Sequence, residues 1–171
     1  NLPISGPNTV CVGGSGTFSL PTLPGTFYKW TVNGPFYTFN DKDKNVPLVN
    51  ISFLMPGQYK VKCVYKNPLA GCEGADSLLV DVLPKFNIVG PEKVCEGDPT
   101  FFDTNQGAGG PPANWTFSPA TPPPTILGGQ GTTNVSISWP AGNYTLIATS
   151  LTPPTHCNLT ATKNIQVIAK P

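Results

Sequence analysis

The chain has 171 residues, with 21 Pro, 18 Gly, 39% hydrophobic residues, 11% charged residues and a net charge of +1. All ten basic residues are Lys, which removes the bidentate Arg contacts on which phosphate and base-edge recognition mainly rests, so no nucleic-acid partner is expected. No run approaches the ~20 apolar residues of a membrane-spanning helix, so no membrane insertion is expected in this segment.

The first patterned segment, Gly6-Pro7-Asn8-Thr9-Val10-Cys11-Val12-Gly13-Gly14, returns as Gly90-Pro91-Glu92-Lys93-Val94-Cys95-Glu96-Gly97-Asp98. The echo continues. Trp30-Thr31 answers to Trp115-Thr116, Gly57-Gln58-Tyr59 to Gly142-Asn143-Tyr144, Cys72 to Cys157, and Val80 and Val82 to Ile165 and Val167. A period of about 85 residues is too long for a solenoid unit and suits a small domain with its own core, so two tandem domains are expected, at 1–84 and 85–171. The join, Val82-Leu83-Pro84-Lys85-Phe86, is short and carries a Pro, which predicts a stiff connection.

Alternation with period two marks the strands. Tyr28, Trp30 and Val32 share one face, then Val49, Ile51, Phe53 and Met55, then Tyr59, Val61 and Cys63, with Lys60 and Lys62 outside. The second copy repeats the pattern with Val135, Ile137 and Trp139, and with Tyr144, Leu146 and Ala148. One buried and one wet face is the signature of antiparallel sheets. Turn-rich separators such as PTLPG, NGP and PGQ divide the segments, and no helical period is evident. About seven short strands per repeat, a Trp on the third and a Gly-x-Tyr step before a long strand describe an immunoglobulin-like β-sandwich.

Of the five cysteines, Cys11 and Cys72 have counterparts in Cys95 and Cys157, while Ala148 stands where Cys63 would recur. Repeat symmetry makes Cys11–Cys72 and Cys95–Cys157 the expected disulfides, each closing a loop worth roughly 4 kcal/mol in the chain-entropy model. Pairing of Cys63 with Cys72 across a hairpin is the alternative. Under the symmetric scheme Cys63 is a free, buried thiol. Paired cysteines imply an oxidising, extracellular setting.

Little in the chain points to chemistry. His156 lies in the loop TPPTHC with no triad pattern around it, and is read as a solvated loop residue. The Gly-rich runs lack the strand-to-helix context of a phosphate cradle. Asp41-x-Asp43-x-Asn45 has the spacing that opens a calcium loop, but the required Gly and closing Glu are missing, so a polar turn is the reading and no metal or cofactor is expected. Just before it, Phe36, Tyr37, Phe39 and Asn40 form a candidate sugar-binding patch, although alternation sends Tyr37 and Phe39 toward the core and leaves Phe36 outside. Asn-x-Ser/Thr triplets stand at Asn50, Asn114, Asn134, Asn143 and Asn158, with Asn50 and Asn134 outward by phase.

The order GPxxVCxG, Trp-Thr strand, Gly-x-Tyr strand, second Cys and final Val-rich strand resembles the PKD-like (polycystic kidney disease-like) repeats of large Bacteroidota surface proteins, a group that includes gliding-motility adhesins. The usual PKD signature WDFGDG is absent, its positions reading Trp30-Thr31-Val32-Asn33-Gly34 and Trp115-Thr116-Phe117-Ser118-Pro119. The resemblance implies a non-enzymatic segment of a long cell-surface filament, exported by type IX secretion, whose partners are neighbouring repeats and a polysaccharide or abiotic surface. The segment itself is expected to be monomeric.

Overall fold

The computed structural model describes residues 2–41, 44–104, 110–152 and 156–171. All regular structure among them is strand. The chain divides into two compact units, residues 1–84 and 85–171.

Unit 1 holds β1 (Thr9–Cys11), β2 (Ser15–Ser19), β3 (Phe27–Asn33), β4 (Tyr37–Thr38), β5 (Leu48–Phe53), β6 (Gly57–Asn67) and β7 (Cys72–Leu83). Unit 2 holds β8 (Lys93–Cys95), β9 (Thr100–Asp103), β10 (Ala113–Ser118), β11 (Thr125–Gly128), β12 (Asn134–Ser138), β13 (Gly142–Ser150) and β14 (Thr160–Ile168). Each unit pairs a four-stranded sheet with a three-stranded one, β1-β7-β6-β3 over β2-β5-β4 and β8-β14-β13-β10 over β9-β12-β11. The two topologies are the same strand for strand, and both are two-sheet immunoglobulin-like sandwiches.

Alternation explains why these segments pair as they do. In β3, Tyr28, Trp30 and Val32 are buried and their neighbours exposed; in β6, Tyr59, Val61, Cys63 and Tyr65 are buried and Lys60, Lys62, Val64 and Lys66 exposed. Val49, Ile51 and Phe53 line the facing sheet. Unit 2 buries Trp115, Val135, Ile137, Trp139, Tyr144, Leu146 and Ala148 in the same way. Met55 departs from the expected inward set: β5 ends at Phe53, the period-two rule ends with it, and Met55 is exposed.

The repeated phrase has a structural meaning in both units. Gly13 and Gly97 adopt φ of 79° and 75°, a left-handed turn that Gly takes without strain. Their N–H groups donate to the Phe53 and Trp139 carbonyls, at 2.7 and 2.9 Å, which ties the first strand to the opposite sheet. Gly6 and Gly90 are needed for space, because a Cβ at either would lie 2.4 Å from the ring of Phe18 or Phe102.

The two Trp indoles also hold equivalent posts, with Trp30 Nε1 donating to the Val46 carbonyl at 2.8 Å and Trp115 Nε1 to the Thr132 carbonyl at 3.1 Å. The tyrosine after each Gly-x step ties a corner back to backbone. The Tyr59 hydroxyl donates to the Met55 and Phe36 carbonyls, and that of Tyr144 to the Pro122 carbonyl.

Candidate functional site: the β3–β4 loop and the cysteines

Phe36 sits between β3 and β4 with its backbone clamped by three hydrogen bonds from two partners. Its N–H donates to the Tyr59 hydroxyl at 3.2 Å, and its carbonyl accepts from that hydroxyl at 2.8 Å and from Leu54 N–H at 3.0 Å. The ring is left outside, 56% exposed. Asn40 is exposed as well. Tyr37 and Phe39 are half-buried and pack on the core. The Tyr37 ring stands edge-on to Tyr59, with centroids 6.4 Å apart, and its hydroxyl donates to the Val32 carbonyl at 2.8 Å. The four candidate residues therefore divide, two holding the loop on the core and two facing water.

The calcium spacing is taken up by other partners. Asp41 pairs with Lys44 at 2.7 Å, and the Lys44 side chain beside it holds the Asp41 carboxyl below its ordinary pKa. The Asn45 side-chain oxygen accepts the Tyr28 N–H at 2.6 Å, fixing the start of β3. Asp43 lies outside the described residues. No cluster of three or more metal-ligating side chains occurs among the described residues.

The cysteines correct the expected pairing. Cys11 and Cys157 are disulfide-bonded, whereas Cys63, Cys72 and Cys95 carry free thiols. Neither Cys11–Cys72 nor Cys95–Cys157 forms, and strand geometry gives the reason. Cys72 is the first residue of β7, while Cys11 pairs in register with Leu83, the last. At ~3.3 Å per residue the two ends of β7 are about 36 Å apart, far beyond the roughly 7 Å between Cα atoms that a disulfide can span. In unit 2, Cys95 pairs with Ile168 at the end of β14, and Cys157 stands before Thr160 at its start. Those ends are separated by about 26 Å of strand, and the three residues that lead in can retrace no more than ~10 Å of it. Repeat correspondence identified equivalent positions but not neighbouring ones.

The Cys63–Cys72 alternative fails too, since Cys63 is in register with Asp76 and Cys72 with Asn67. Cys63 is fully buried beside Trp30's strand, and loss of solvation pushes its thiol up to about 11. Cys72 and Cys95 are exposed.

His156 is also corrected. It is buried, its ring edge-on to Phe86 with centroids 6.0 Å apart. Nearby, Asn158 closes a reciprocal pair with the Phe86 backbone, accepting its N–H at 2.9 Å and donating to its carbonyl at 2.8 Å. Of the Asn-x-Ser/Thr triplets, Asn50, Asn114, Asn134 and Asn143 are exposed.

Two surfaces escaped the reading of single motifs. The outer face of β3 and β6 presents Lys29, Lys60, Lys62 and Lys66, brought to one side by cross-strand register although they are scattered in sequence. Period-two phase on both strands was the available signal. In unit 2, an open groove of about 590 Å³ runs over β13 and β14, lined by Glu92, Lys93, Asn143, Thr145, Asn164 and Gln166. The aromatic ring beneath it, Tyr144, is buried.

No family model matches this sequence, and no curated protein does. Solved structures with similar folds do exist. The D00-D0 domain of intimin aligns over 96% of this chain and 99% of its own length at TM-score 0.52 and 11% identity. A mixed-linkage glucan utilization protein of Bacteroides ovatus, SGBP-B in complex with a heptasaccharide, aligns over 94% of this chain at TM-score 0.35 and 16% identity. The chain spans about 42% of that protein's length. The four N-terminal immunoglobulin domains of Dscam1 give TM-score 0.43 at 14% identity, with 95% of this chain and 43% of theirs covered. Of these three, the intimin likeness alone passes a TM-score of 0.5, and at 11% identity it bears on the fold and nothing further.

Proposed function

We propose that the chain is a non-enzymatic structural segment of an extracellular protein, a spacer that transmits tension along a surface-anchored filament. One observation carries this reading: in both units the first strand runs parallel to the last and is hydrogen-bonded to it. β1 pairs with β7 and β8 with β14. The ladder extends past the strands, with Asp81 N–H donating to the Asn8 carbonyl at 2.9 Å and Val12 N–H to the Leu83 carbonyl at 2.9 Å. In unit 2, Gln166 N–H donates to the Glu92 carbonyl at 2.7 Å and Glu96 N–H to the Ile168 carbonyl at 2.9 Å.

The mechanical consequence follows from direction. Pulling a unit by its two ends drags its first strand one way and its last strand the other, along their common axis. Every bond between them is then loaded at once, in shear. An antiparallel terminal pair would instead unzip bond by bond at low force. The disulfide cysteines suit an oxidising environment outside the cell. The likeness of the repeat phrase to PKD-like surface repeats, the gliding-motility adhesin SprB among them, extends the reading to a stalk in surface attachment.

Single-molecule extension of the chain through its termini, with the disulfide reduced so that tension passes through the strands, tests the proposal. Each unit is expected to yield in one step, and Val12→Pro, which deletes the N–H donated to Leu83, is expected to lower the force for unit 1 alone. Smooth, low-force extension of the unaltered chain would contradict the reading.

A second reading rests on a separate observation, the lysines gathered on the outer face of β3 and β6. They would suit an anionic polysaccharide, attracted by charge and screened by salt. Phe36 and Asn40 offer a smaller, neutral patch on the same unit.

A further inference from the structure

The four cysteines shared by the repeats fall into two positional classes. Cys11 and Cys95 end the first strand of their repeats, in register with Leu83 and Ile168, the last residues of β7 and β14. Cys72 opens β7, and Cys157 stands just before β14. In each class one member is disulfide-bonded and the other free: Cys11 against Cys95, Cys157 against Cys72. The free pair thus consists of one thiol of each class, at positions whose counterparts in the other repeat are bonded. The length of the last strand keeps either thiol from being satisfied by the shared cysteine of its own repeat.

Both free thiols are exposed. Cys72 follows a turn at Gly71 (φ 65°) and lies at the lip of a depression of about 510 Å³ whose walls include Leu2, Leu23, Tyr65 and Asn67. That hollow, lined also by Thr26 and Glu73, gives an incoming protein turn a seat of mixed polarity beside the thiol. Cys95 stands on such a turn. Asp98 N–H donates to its carbonyl at 3.3 Å, Gly97 makes the bend, and Lys170 pairs with Asp98 at 2.6 Å.

We propose that Cys72 of one copy of this chain and Cys95 of a second copy form a disulfide, joining copies head to tail through unlike cysteines. A joined series keeps one free thiol of each class, one at either end, so the contact is heterologous and open-ended. Like-with-like bonding would instead let a variant that keeps one of the two thiols dimerise on its own. The inference does not depend on the tension-bearing reading, since it needs only the free thiols and the repeat equivalence.

The chemistry balances with a small disulfide such as oxidised glutathione as oxidant. The Cys72 thiolate attacks it, forming a mixed disulfide and releasing one glutathione thiolate. The Cys95 thiolate of the second copy then attacks the Cys72 sulfur, and the second glutathione leaves. Two protein thiols lose two protons and two electrons, and one glutathione disulfide becomes two thiols.

The test uses the full chain in a glutathione redox buffer, resolved on non-reducing gels and mapped by mass spectrometry. A ladder of dimers, trimers and longer species is expected, carrying a linked peptide pair that contains Cys72 and Cys95. Cys72→Ser and Cys95→Ser should each remain monomeric alone, and an equal mixture of the two should advance to a dimer and stop. Three results would overturn the proposal: monomers capped by glutathione, dimers of either single variant, or a Cys72–Cys95 link within one chain. Neither variant touches a buried or bonded residue, and circular dichroism checks that both are folded.

Discussion

The two repeats build one topology from sequences that agree at few positions, and the places where they agree differ in kind from those where they diverge. The shared residues make the frame: the Gly13 and Gly97 turns, the Gly6 and Gly90 gaps under a Phe ring, the Trp30 and Trp115 indoles and the Tyr59 and Tyr144 corners. The divergent residues sit on outer faces and loops. Unit 1 has Lys29, Lys60 and Lys62 where unit 2 has Asn114, Thr145 and Ile147. A frame held constant while surfaces vary agrees with the proposed spacer reading, in which the surfaces have no common ligand to hold.

Substitutions at paired positions sharpen that comparison. The largest effect is expected at the indoles. Trp30→Ala and Trp115→Ala should each cost about 3–5 kcal/mol, unfolding one unit while the other keeps its own transition in a denaturant titration. Equal loss of both transitions from either change would mean that the units are not independent. Next come the gap glycines. Gly6→Ala must displace the Phe18 ring, at about 1–3 kcal/mol. Gly90→Ala meets the Phe102 ring, lies 3.0 Å from the Phe101 carbonyl oxygen and also holds φ at 152°, so it should cost more.

The corners should rank by their hydrogen bonds. Tyr59→Phe strips three bonds and leaves the Phe36 N–H unpaired, for about 1–3 kcal/mol; Tyr144→Phe loses one bond at 3.2 Å, for about 0.5–1.5 kcal/mol. Urea midpoints of the separate transitions would measure both.

The smallest effects are expected where unit 2 already shows an alternative. Trp139 takes the place of Phe53, and its buried Nε1 is the one side-chain nitrogen or oxygen among the described residues found buried without a partner. Trp139→Phe should therefore stay within about 1.5 kcal/mol, as removal of the orphaned donor offsets the lost volume. Cys63 stands where unit 2 has Ala148. Its folded thiol is raised to about 11 from an ordinary value of 9.0, so the unfolded chain gives up its proton first. The stability this contributes is complete below pH 9 and is lost as pH rises toward 11; Cys63→Ala should remove that slope from unit 1. In the native protein at pH 8, a thiol reagent should modify Cys72 and Cys95 and leave Cys63 untouched.

Much of this frame was legible in the chain because period-two alternation and a repeated turn phrase are local signals. Tyr28, Trp30 and Val32 could be placed by counting. The cysteine pairing was not legible, because it depends on which end of a twelve-residue strand each residue occupies. Matching repeats reports equivalence between copies and is silent about distance within one. His156 was misread for a related reason: the motif around it in sequence suggests a loop, but its ring packs against Phe86, seventy residues away. The candidate patch was half legible. Alternation sent Tyr37 and Phe39 inward, but the clamp that Tyr59 places on the Phe36 backbone arises only when β6 packs beside the loop.

The measurement that bears most directly on the spacer reading is binding of the oxidised chain to an array of neutral and acidic glycans. Phe36→Ala and a Lys60→Ser/Lys62→Ser double variant would be run beside it. The account predicts no specific binding by folded protein. Specific binding that disappears in either variant would contradict it, and would make unit 1 a recognition module with its site on the β3–β4 loop or on the lysine face.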